Sequence, residues 1–343
     1  MSDPFLSIVV PCYDEEASLA RLHARLTAAA RMAAGDSYEI VVVNDGSRDA
    51  SWEIILGLAE NDARLVGINL SRNHGHQLAL TAGLDLCAGE RILIIDADLQ
   101  DPPELLPEML ATMEREQADV VFAVRRARAG ETAFKRTSAT LFYRLLSRLA
   151  DIAIPRDTGD FRLLSRRALD AFLSLPEQAR FIRGMVAWVG FRQVPIPYDR
   201  AERQHGQTKY PFSKMMRLAI DAVTGFSTAP LRLASHIGLW LVAVSLLLLI
   251  YIAYGYFSGA VIQGWTSLML VVVVLGAVQM FVLGMIGEYL GRLFIEVKKR
   301  PLYIVSEIAG QIEGRPSLGH VAQARDKIAT SESPGGNGTR PIA

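Results

Sequence analysis

The chain has 343 residues, of which 50% are hydrophobic, and a formal net charge of zero. This length allows two structural units, and the balanced charge gives no indication of a nucleic-acid partner. Two cysteines, Cys12 and Cys87, are too few for a disulfide framework or a zinc site. The N-terminal residues lack the basic and apolar pattern of a cleaved secretory signal, so none is expected.

Short apolar runs alternate with segments of helical spacing through the first 125 residues. We predict strands over residues 5–10, 39–43, 65–70, 91–95 and 119–124, and helices over 16–32, 51–59, 77–86 and 103–114. Such alternation indicates an α/β unit with a mostly parallel sheet and helices on both faces. No dinucleotide-binding G-x-G-x-x-G follows the first strand.

An acidic motif follows the fourth predicted strand. Asp96, Asp98 and Gln100 stand at alternate positions, so in an extended segment their side chains would converge on one ion. Hard oxygen ligands at the carboxyl end of a strand suit Mg²⁺ or Mn²⁺. The alternative is a polar turn that caps the next helix, because residues 101–104 also resemble a helix start.

Two other strand ends carry polar residues toward the same edge of the sheet. Asp45 could accept hydrogen bonds from a base or ribose, and Tyr13 could stack on a base. The alternative for Asp45 is a tight Asp-Gly turn. After the third strand, Arg72 precedes a helix start and could help to hold a diphosphate.

Basic segments with apolar stripes lie farther along the chain. A helix over residues 133–150 and a second over 211–231 are predicted to lie on an anionic membrane surface. The alternative for the first is a solvated helix that packs against the core. Between them, a loop at 200–210 carries Arg200, Arg203 and Lys209 and could close over a phosphate, or could be a solvated loop.

Two long apolar runs, at residues 237–257 and 266–286, each approach the roughly 20 residues that cross a bilayer as a helix. The connection over 258–265 contains no Lys or Arg, whereas Arg232 precedes the first run and residues 298–300 are all basic. Positively charged flanks favour the cytoplasm, so both ends of this hairpin are expected inside. The end of the chain, rich in Ser, Gly, Pro and Thr, is expected to be disordered.

The motifs together resemble family 2 glycosyltransferases that use polyprenyl phosphate as acceptor, especially bactoprenol-phosphate glucosyltransferases and, more distantly, dolichol-phosphate mannose synthases. The resemblance covers residues 5–305. It departs from the family pattern at His74 and His76, where Phe and Lys are usual. The motifs that carry it are VPCYDEE (10–16), VNDGS (43–47), DADLQDPPE (96–104), GDFRLL (159–164) and RAERQHGQTKY (200–210).

The resemblance implies a GT-A catalytic domain that binds a metal through Asp96, Asp98 and Gln100. It further implies an inverting transfer of one sugar, from a nucleotide sugar such as UDP-glucose to undecaprenyl phosphate at the cytoplasmic membrane face, by a homo-oligomer, a tetramer in this family. Asp160 corresponds to the proposed base of the group, although a phosphate nucleophile hardly needs one. The residues implied for the nucleotide are Pro11, Tyr13, Glu15 and Asp45, and those for the phosphates are Arg125, Arg136, Ser138, Arg203 and Lys209.

The expected organisation is a catalytic domain over residues 1–210, a juxtamembrane helix over 211–231, two membrane helices over 232–297 and a cytoplasmic tail over 298–343. Two other functions remain open at this point. One is a membrane polysaccharide synthase, against which the missing Gln-x-x-Arg-Trp motif and the small number of spans argue. The other is a scaffold with an inactive sugar-nucleotide pocket, against which the intact acidic motif argues.

Overall fold

The computed structural model describes residues 4–125, 158–199, 229–258 and 264–310, which fall into two compact units. The described strands are β1 (Leu6–Cys12), β2 (Tyr38–Asn44), β3 (Leu65–Leu70), β4 (Arg91–Ile94), β5 (Val120–Arg125), β6 (Thr158–Ser165), β7 (Gln193–Tyr198) and β8 (Val305–Ala309). The described helices are α1 (Leu19–Ala34), α2 (Ser51–Asn61), α3 (His76–Leu86), α4 (Leu106–Arg115), α5 (Arg166–Leu173), α6 (Ile182–Trp188), α7 (Ala229–Phe257) and α8 (Trp265–Lys298).

The described strands of the first unit form one sheet in the order β7-β5-β6-β4-β1-β2-β3-β8. Strands β4, β1, β2 and β3 run parallel to one another, as do β5 and β7, whereas β6 and β8 are antiparallel to their neighbours. The predicted α/β architecture with a mostly parallel, GT-A-like sheet is therefore confirmed. The carboxyl ends of β1, β2, β3 and β4 consequently meet at one edge, where such sheets bind ligands.

Helices cover both faces of this sheet. On one face, Ile8 and Val10 belong to the same buried cluster as Leu22 of α1 and Met109 of α4. On the other face, α3 packs against β1 and β2, and Gly83 permits the close approach because a Cβ there would collide with valine side chains of these strands. The two cysteines are free and buried, as expected.

The sheet ends in a strand that comes from the far end of the described chain. β8 follows the last long helix and pairs antiparallel with the edge strand β3. The segment is fixed by more than the ladder: the Ser71 backbone N–H donates to the Ile304 carbonyl at 2.9 Å, and the Tyr303 hydroxyl donates to Asp85 at 2.8 Å. Part of the predicted C-terminal tail is thus a strand of the first unit.

The second unit contains the long helices α7 and α8, which contact each other. Within the described residues, one stretch, Val271–Lys298 of α8, is long and apolar enough to cross a membrane, with a mean hydropathy of 2.1. In α7 the corresponding apolar stretch is shorter, Ala234–Leu248. One of the two predicted spans therefore has this support. The predicted helices over 133–150 and most of 211–231 lie outside the described residues.

Candidate active site

The acidic motif forms a turn and not an extended segment. β4 ends at Ile94, and the backbone of Leu99 has a φ of 59°, in the left-handed region that non-glycine residues rarely adopt. The Gln100 N–H donates to Asp98 Oδ1 at 3.1 Å, which closes the turn. The predicted extended conformation is wrong for this segment, so side-chain alternation along a strand does not apply to Asp96, Asp98 and Gln100. That Asp98 and Gln100 bind a metal stays a prediction.

Asp96 is the first carboxylate of this turn, and its Oδ1 atom is buried and has no hydrogen-bond partner among the described residues. In the described part of the chain, the basic side chain within ion-pair distance of Asp96 is that of His76, whose Nε2 lies 3.6 Å from Oδ1. Burial, opposed by the charge of His76 and aided by the charges of Asp160, Asp101 and Asp98, raises the pKa of Asp96 to about 6. A partly exposed carboxylate with one buried oxygen and a raised pKa fits a site for a cation.

The described residues do not assemble a complete metal site from protein side chains. Among them, no group of three or more His, Cys, Asp or Glu residues could hold a metal ion. Mg²⁺ and Mn²⁺ are often held by one or two carboxylates together with substrate phosphates. The donor set at Asp96 fits this kind of shared site, in which substrate oxygens supply the missing ligands.

Asp160 lies at an irregularity of the sheet. Phe122 of β5 pairs with Arg162 of β6, but Val124 pairs with Thr158, so residues 159–161 of β6 stand opposite a single residue of β5. Bulges of this kind redirect side chains near active sites. The bulge contains Asp160, which is only 3% exposed.

The Asp160 carboxylate accepts hydrogen bonds from three side chains. Arg183 donates from Nε to Oδ1 at 2.7 Å and from Nη2 to Oδ2 at 3.2 Å. His76 Nε2 lies 3.1 Å from Oδ2, and Gln77 donates to it at 3.4 Å. Burial alone would raise the pKa of Asp160, but the charge of Arg183 and the bonds from His76 and Arg183 hold it well below its usual range. Asp160 is therefore anionic at neutral pH.

A second arginine lies beneath this cluster. Arg162 is 4% exposed, donates to the Gly159 carbonyl at 3.2 Å and approaches Asp160 Oδ1 to 4.0 Å. Burial lowers the pKa of Arg162 to about 10, although the charge of Asp160 opposes this shift. Arg162 still carries its charge at neutral pH, so Asp160 shares its surroundings with two guanidinium groups.

Asp45 contacts the protein backbone. Its Oδ1 accepts from the His74 N–H at 2.7 Å and its Oδ2 from the Gly75 N–H at 2.9 Å. The carboxylate is 3% exposed, and burial raises its pKa against the effect of these two bonds. The geometry favours the view of Asp45 as a residue that fixes the loop after β3, while a direct contact with a nucleotide stays a prediction.

The other residues predicted to bind the nucleotide lie around the same edge. Pro11 is buried in β1, whereas Tyr13 is 38% exposed and Arg72 is exposed in the loop after β3. Glu15 accepts a hydrogen bond from the Ser18 hydroxyl at 3.1 Å. The exposed ring of Tyr13 suits the predicted stacking on a base.

Gly46 lets the loops after β2 and β3 approach each other. Its φ is 65°, and a Cβ there would lie 2.5 Å from the Arg72 carbonyl carbon and 2.7 Å from the Asn73 nitrogen. We expect Gly46→Ala to lower the Tm and to weaken binding of a nucleoside diphosphate at least tenfold, because the Arg72 loop must move. Gly57→Ala, where a Cβ meets nothing within 4 Å, serves as control; equal nucleotide affinity in the two variants would contradict this view.

Arg125, predicted to bind phosphate, ends β5 opposite Tyr198 of β7. Its Nε is buried and has no hydrogen-bond partner within the described ranges. The Tyr198 hydroxyl donates to Asp101 Oδ1 at 2.5 Å, and burial with the charge of Asp101 raises the pKa of Tyr198 to about 12. Tyr198 therefore links the end of the acidic turn to the neighbourhood of Arg125. The remaining predicted phosphate ligands, Arg136, Ser138, Arg200, Arg203 and Lys209, lie outside the described residues.

Sequence reasoning did not identify His76, Gln77, Arg162, Arg183 or Tyr198 as site residues. His76 and Gln77 begin α3, directly after the predicted Arg72 loop, so their position was a usable signal. Arg183 gave no local signal, because its partner lies 23 residues away and the pairing depends on the tertiary fold.

Comparisons with known proteins show the family of this chain. The family model "Glycosyl transferase family 2" matches residues 7–173, and "GtrB C-terminal hairpin" matches residues 229–293. The chain is 46% identical to the uncharacterized glycosyltransferase YkcC of Bacillus subtilis (strain 168), across 89% of this chain and 94% of that protein.

Two relatives have more specific names. The prophage bactoprenol glucosyl transferase homolog of Escherichia coli (strain K12) is 38% identical, across 88% of this chain and 99% of that protein. The bactoprenol glucosyl transferase of Shigella phage SfII is 37% identical, across 88% and 97%. Identity at this level over nearly the whole of each relative establishes that the chain is a glycosyltransferase and belongs to glycosyltransferase family 2.

Proposed function

We propose that this enzyme transfers a single glucose, with inversion, from UDP-glucose to undecaprenyl phosphate at the cytoplasmic face of the membrane. The observation that carries the proposal is the position of the Asp96 carboxylate beside Asp160 and its two arginine partners, Arg183 and Arg162, at one sheet edge. Such an arrangement suits the transfer of a sugar from a diphosphate donor to a phosphate acceptor, because both substrates carry phosphate oxygens. The names of the relatives support the lipid acceptor and glucose.

The bond changes of this reaction need no proton transfer. A phosphate monoester has a second pKa near ~6, so its oxygen is largely anionic at neutral pH. That oxygen forms the new bond to the anomeric carbon, and the electron pair of the broken bond leaves with the nucleoside diphosphate. Because the pKa of Asp160 lies well below its usual range, Asp160 is also a poor base. We assign it a positioning role.

The residues that would hold a divalent cation are Asp96 with Asp98 and Gln100. When bound, Mg²⁺ or Mn²⁺ would supply Lewis-acid stabilisation of charge on the leaving diphosphate. Arg72 and Arg125 would reduce the repulsion between the two anionic substrates, which otherwise opposes their approach. Tyr13 would stack on the base.

We further propose that both long helices cross the bilayer. α7 has 29 residues and α8 has 34, and at about 1.5 Å per residue each exceeds the hydrocarbon thickness of about 30 Å. Basic residues at Arg232 and at 298–300 would keep both ends in the cytoplasm. Anchored there, the catalytic unit meets a lipid phosphate at the interface. The tetramer that the resemblance implies stays a prediction.

The test is a product analysis with the purified full-length protein, undecaprenyl phosphate and a panel of radiolabelled nucleotide sugars. We expect one lipid-linked monosaccharide, formed fastest from UDP-glucose. Excess EDTA should abolish turnover and added Mn²⁺ or Mg²⁺ should restore it. Undiminished turnover in EDTA would exclude the metal, and a product with several sugars would favour a polysaccharide synthase.

A further inference from the structure

We propose that Arg183 is a catalytic residue that binds a phosphate oxygen at the reacting centre, and that Asp160 is the buried positioning residue beneath it. The inference rests on the proposed function and deepens it. It concerns the phosphates of both substrates, since the donor diphosphate and the acceptor monophosphate present the same oxygen chemistry. The experiment below distinguishes the two.

The side chains of this cluster differ in their exposure to solvent. Asp160 is 3% exposed, and side chains from α3 and α6 donate to its two oxygens. By contrast, the side chain of Arg183 is 33% exposed and that of His76 is 43% exposed. A substrate that approaches this cluster therefore meets the groups that Asp160 holds, before it meets Asp160 itself.

Several charged side chains meet around Asp160. Among the described residues, the guanidinium groups of Arg183 and Arg162 both lie within 4.0 Å of the Asp160 carboxylate, so two cationic groups share this anion. Arg162 is buried, and water screens a buried charge only weakly. His76, which contacts Asp160, also lies 3.6 Å from Oδ1 of Asp96, measured from its Nε2. A proposed cation site and two guanidinium groups in such proximity suit a ligand with several phosphate oxygens.

Hydrogen bonds fix the orientation of the Arg183 guanidinium. The fork of Arg183 uses Nε and Nη2 on Asp160, which fixes the plane of the guanidinium. Gln77 of α3 connects Asp160 to the start of α6. Its Oε1 accepts from the Ile182 N–H at 2.9 Å, and its Nε2 donates to Asp160. Arg183 is thus fixed in two ways: its side chain is bonded to Asp160, and the backbone of the preceding residue, Ile182, is bonded to Gln77. Donors fixed before the reaction stabilise developing charge most effectively.

The chain offers a matched control for a substitution at Arg183. Arg167 makes the same two-bonded contact with Asp119, from Nε at 3.1 Å and from Nη2 at 2.6 Å. This pair lies at the amino end of β5, at the opposite edge of the sheet from Asp96, and Arg167 is mostly exposed. Arg167→Lys therefore tests the loss of a fork without disturbing the site.

We would measure kcat, the KM for undecaprenyl phosphate and the affinity for UDP in the wild type, Arg183→Lys and Arg167→Lys. A lysine keeps the charge but loses the fork, so we expect kcat/KM for the lipid to fall about 100-fold in Arg183→Lys, a loss typical of one preorganised donor. UDP affinity within twofold of wild type would assign the contact to the acceptor phosphate, and a tenfold weaker affinity would assign it to the donor. Arg167→Lys should retain wild-type kinetics.

Arg183→Ala provides a second variant in case lysine disturbs folding. Millimolar guanidinium should restore at least tenfold of its lost activity, an effect that a purely structural role would not produce. Changes below threefold in all constants of Arg183→Lys, with an active wild type and no guanidinium rescue, would overturn the inference. A wild type that forms no lipid-linked sugar would instead overturn the proposed function.

Discussion

Asp96→Asn is expected to abolish transfer, with a loss of more than about 1000-fold, and at the same time to stabilise the metal-free protein at pH 7.5. The activity is lost because a neutral amide replaces the carboxylate proposed to hold the cation. The gain in stability follows from the pKa of Asp96, which burial raises from 3.8 to about 6. The folded protein therefore binds this proton more tightly than the unfolded chain does.

The sign of the pH dependence follows from that difference. Between pH 4 and pH 6 the folded state holds the proton and the unfolded state does not, so stability falls as the pH rises. Above pH 6 the ionised Asp96 carboxylate lowers the free energy of unfolding by its full effect, about 2 kcal/mol after allowance for partial exposure. Asn removes this cost at pH 7.5 and should give no advantage at pH 4.

Thermal unfolding in EDTA at pH 4 and pH 7.5, repeated with Mn²⁺, measures both effects. Mn²⁺ should raise the Tm of the wild type but not of Asp96→Asn, because a ligand stabilises only the state that binds it. Asp36→Asn is the control, since Asp36 is an exposed carboxylate that pairs with Arg64 at the surface. A lower Tm for Asp96→Asn than for wild type in EDTA at pH 7.5 would contradict this account.

Asp160→Asn is expected to have the opposite effect on stability and to lower the free energy of unfolding by about 3 kcal/mol. The buried guanidinium of Arg162 and the fork of Arg183 would lose the anion that compensates them. Because the pKa of Asp160 lies well below its usual range, its contribution is fully present above about pH 5 and is lost as the pH falls through the folded pKa. The difference from wild type should therefore shrink only in acid.

The double variant Asp160→Asn/Arg183→Gln should recover part of this loss, since it also removes one uncompensated charge. A double-mutant cycle measured by urea unfolding should give a coupling of at least about 1 kcal/mol. Activity of Asp160→Asn should be low at both pH 6 and pH 8. Near-complete loss at pH 6 with recovery at pH 8 would instead identify Asp160 as a base, because the substrate phosphate is fully ionised at the higher pH.

The strands of the parallel core could be predicted because each is a short apolar run, a pattern that the local sequence shows without knowledge of the strand's partner. The third predicted strand has the observed bounds, Leu65–Leu70. β8 could not be predicted, since its five residues carry no strong strand signal and depend on pairing with β3, more than 230 residues earlier. A strand of this kind is stabilised by its partner and not by its own composition.

The same distinction applies to the site. The acidic turn and Asp45 could be predicted because polar turn residues follow apolar strands. The left-handed backbone of Leu99 could not be predicted, and it makes the segment a turn where an extended conformation was expected. Asp160 was found through the resemblance, whereas its arginine partners became visible only once the bulge in β6 and the start of α6 were in place. A contact of Asp45 with a nucleotide stays a prediction; in the structure both of its oxygens accept from backbone amides, which sequence reasoning did not predict.

The position of β8 has a consequence for the order in which the protein can be completed. Ribosomes synthesise Val305–Ala309 only after both long apolar helices, so until then the nascent sheet exposes the edge of β3 with unpaired backbone groups. Exposed edges of this kind recruit strands from other chains. The catalytic half is therefore most vulnerable to aggregation during the interval in which the hairpin is being made.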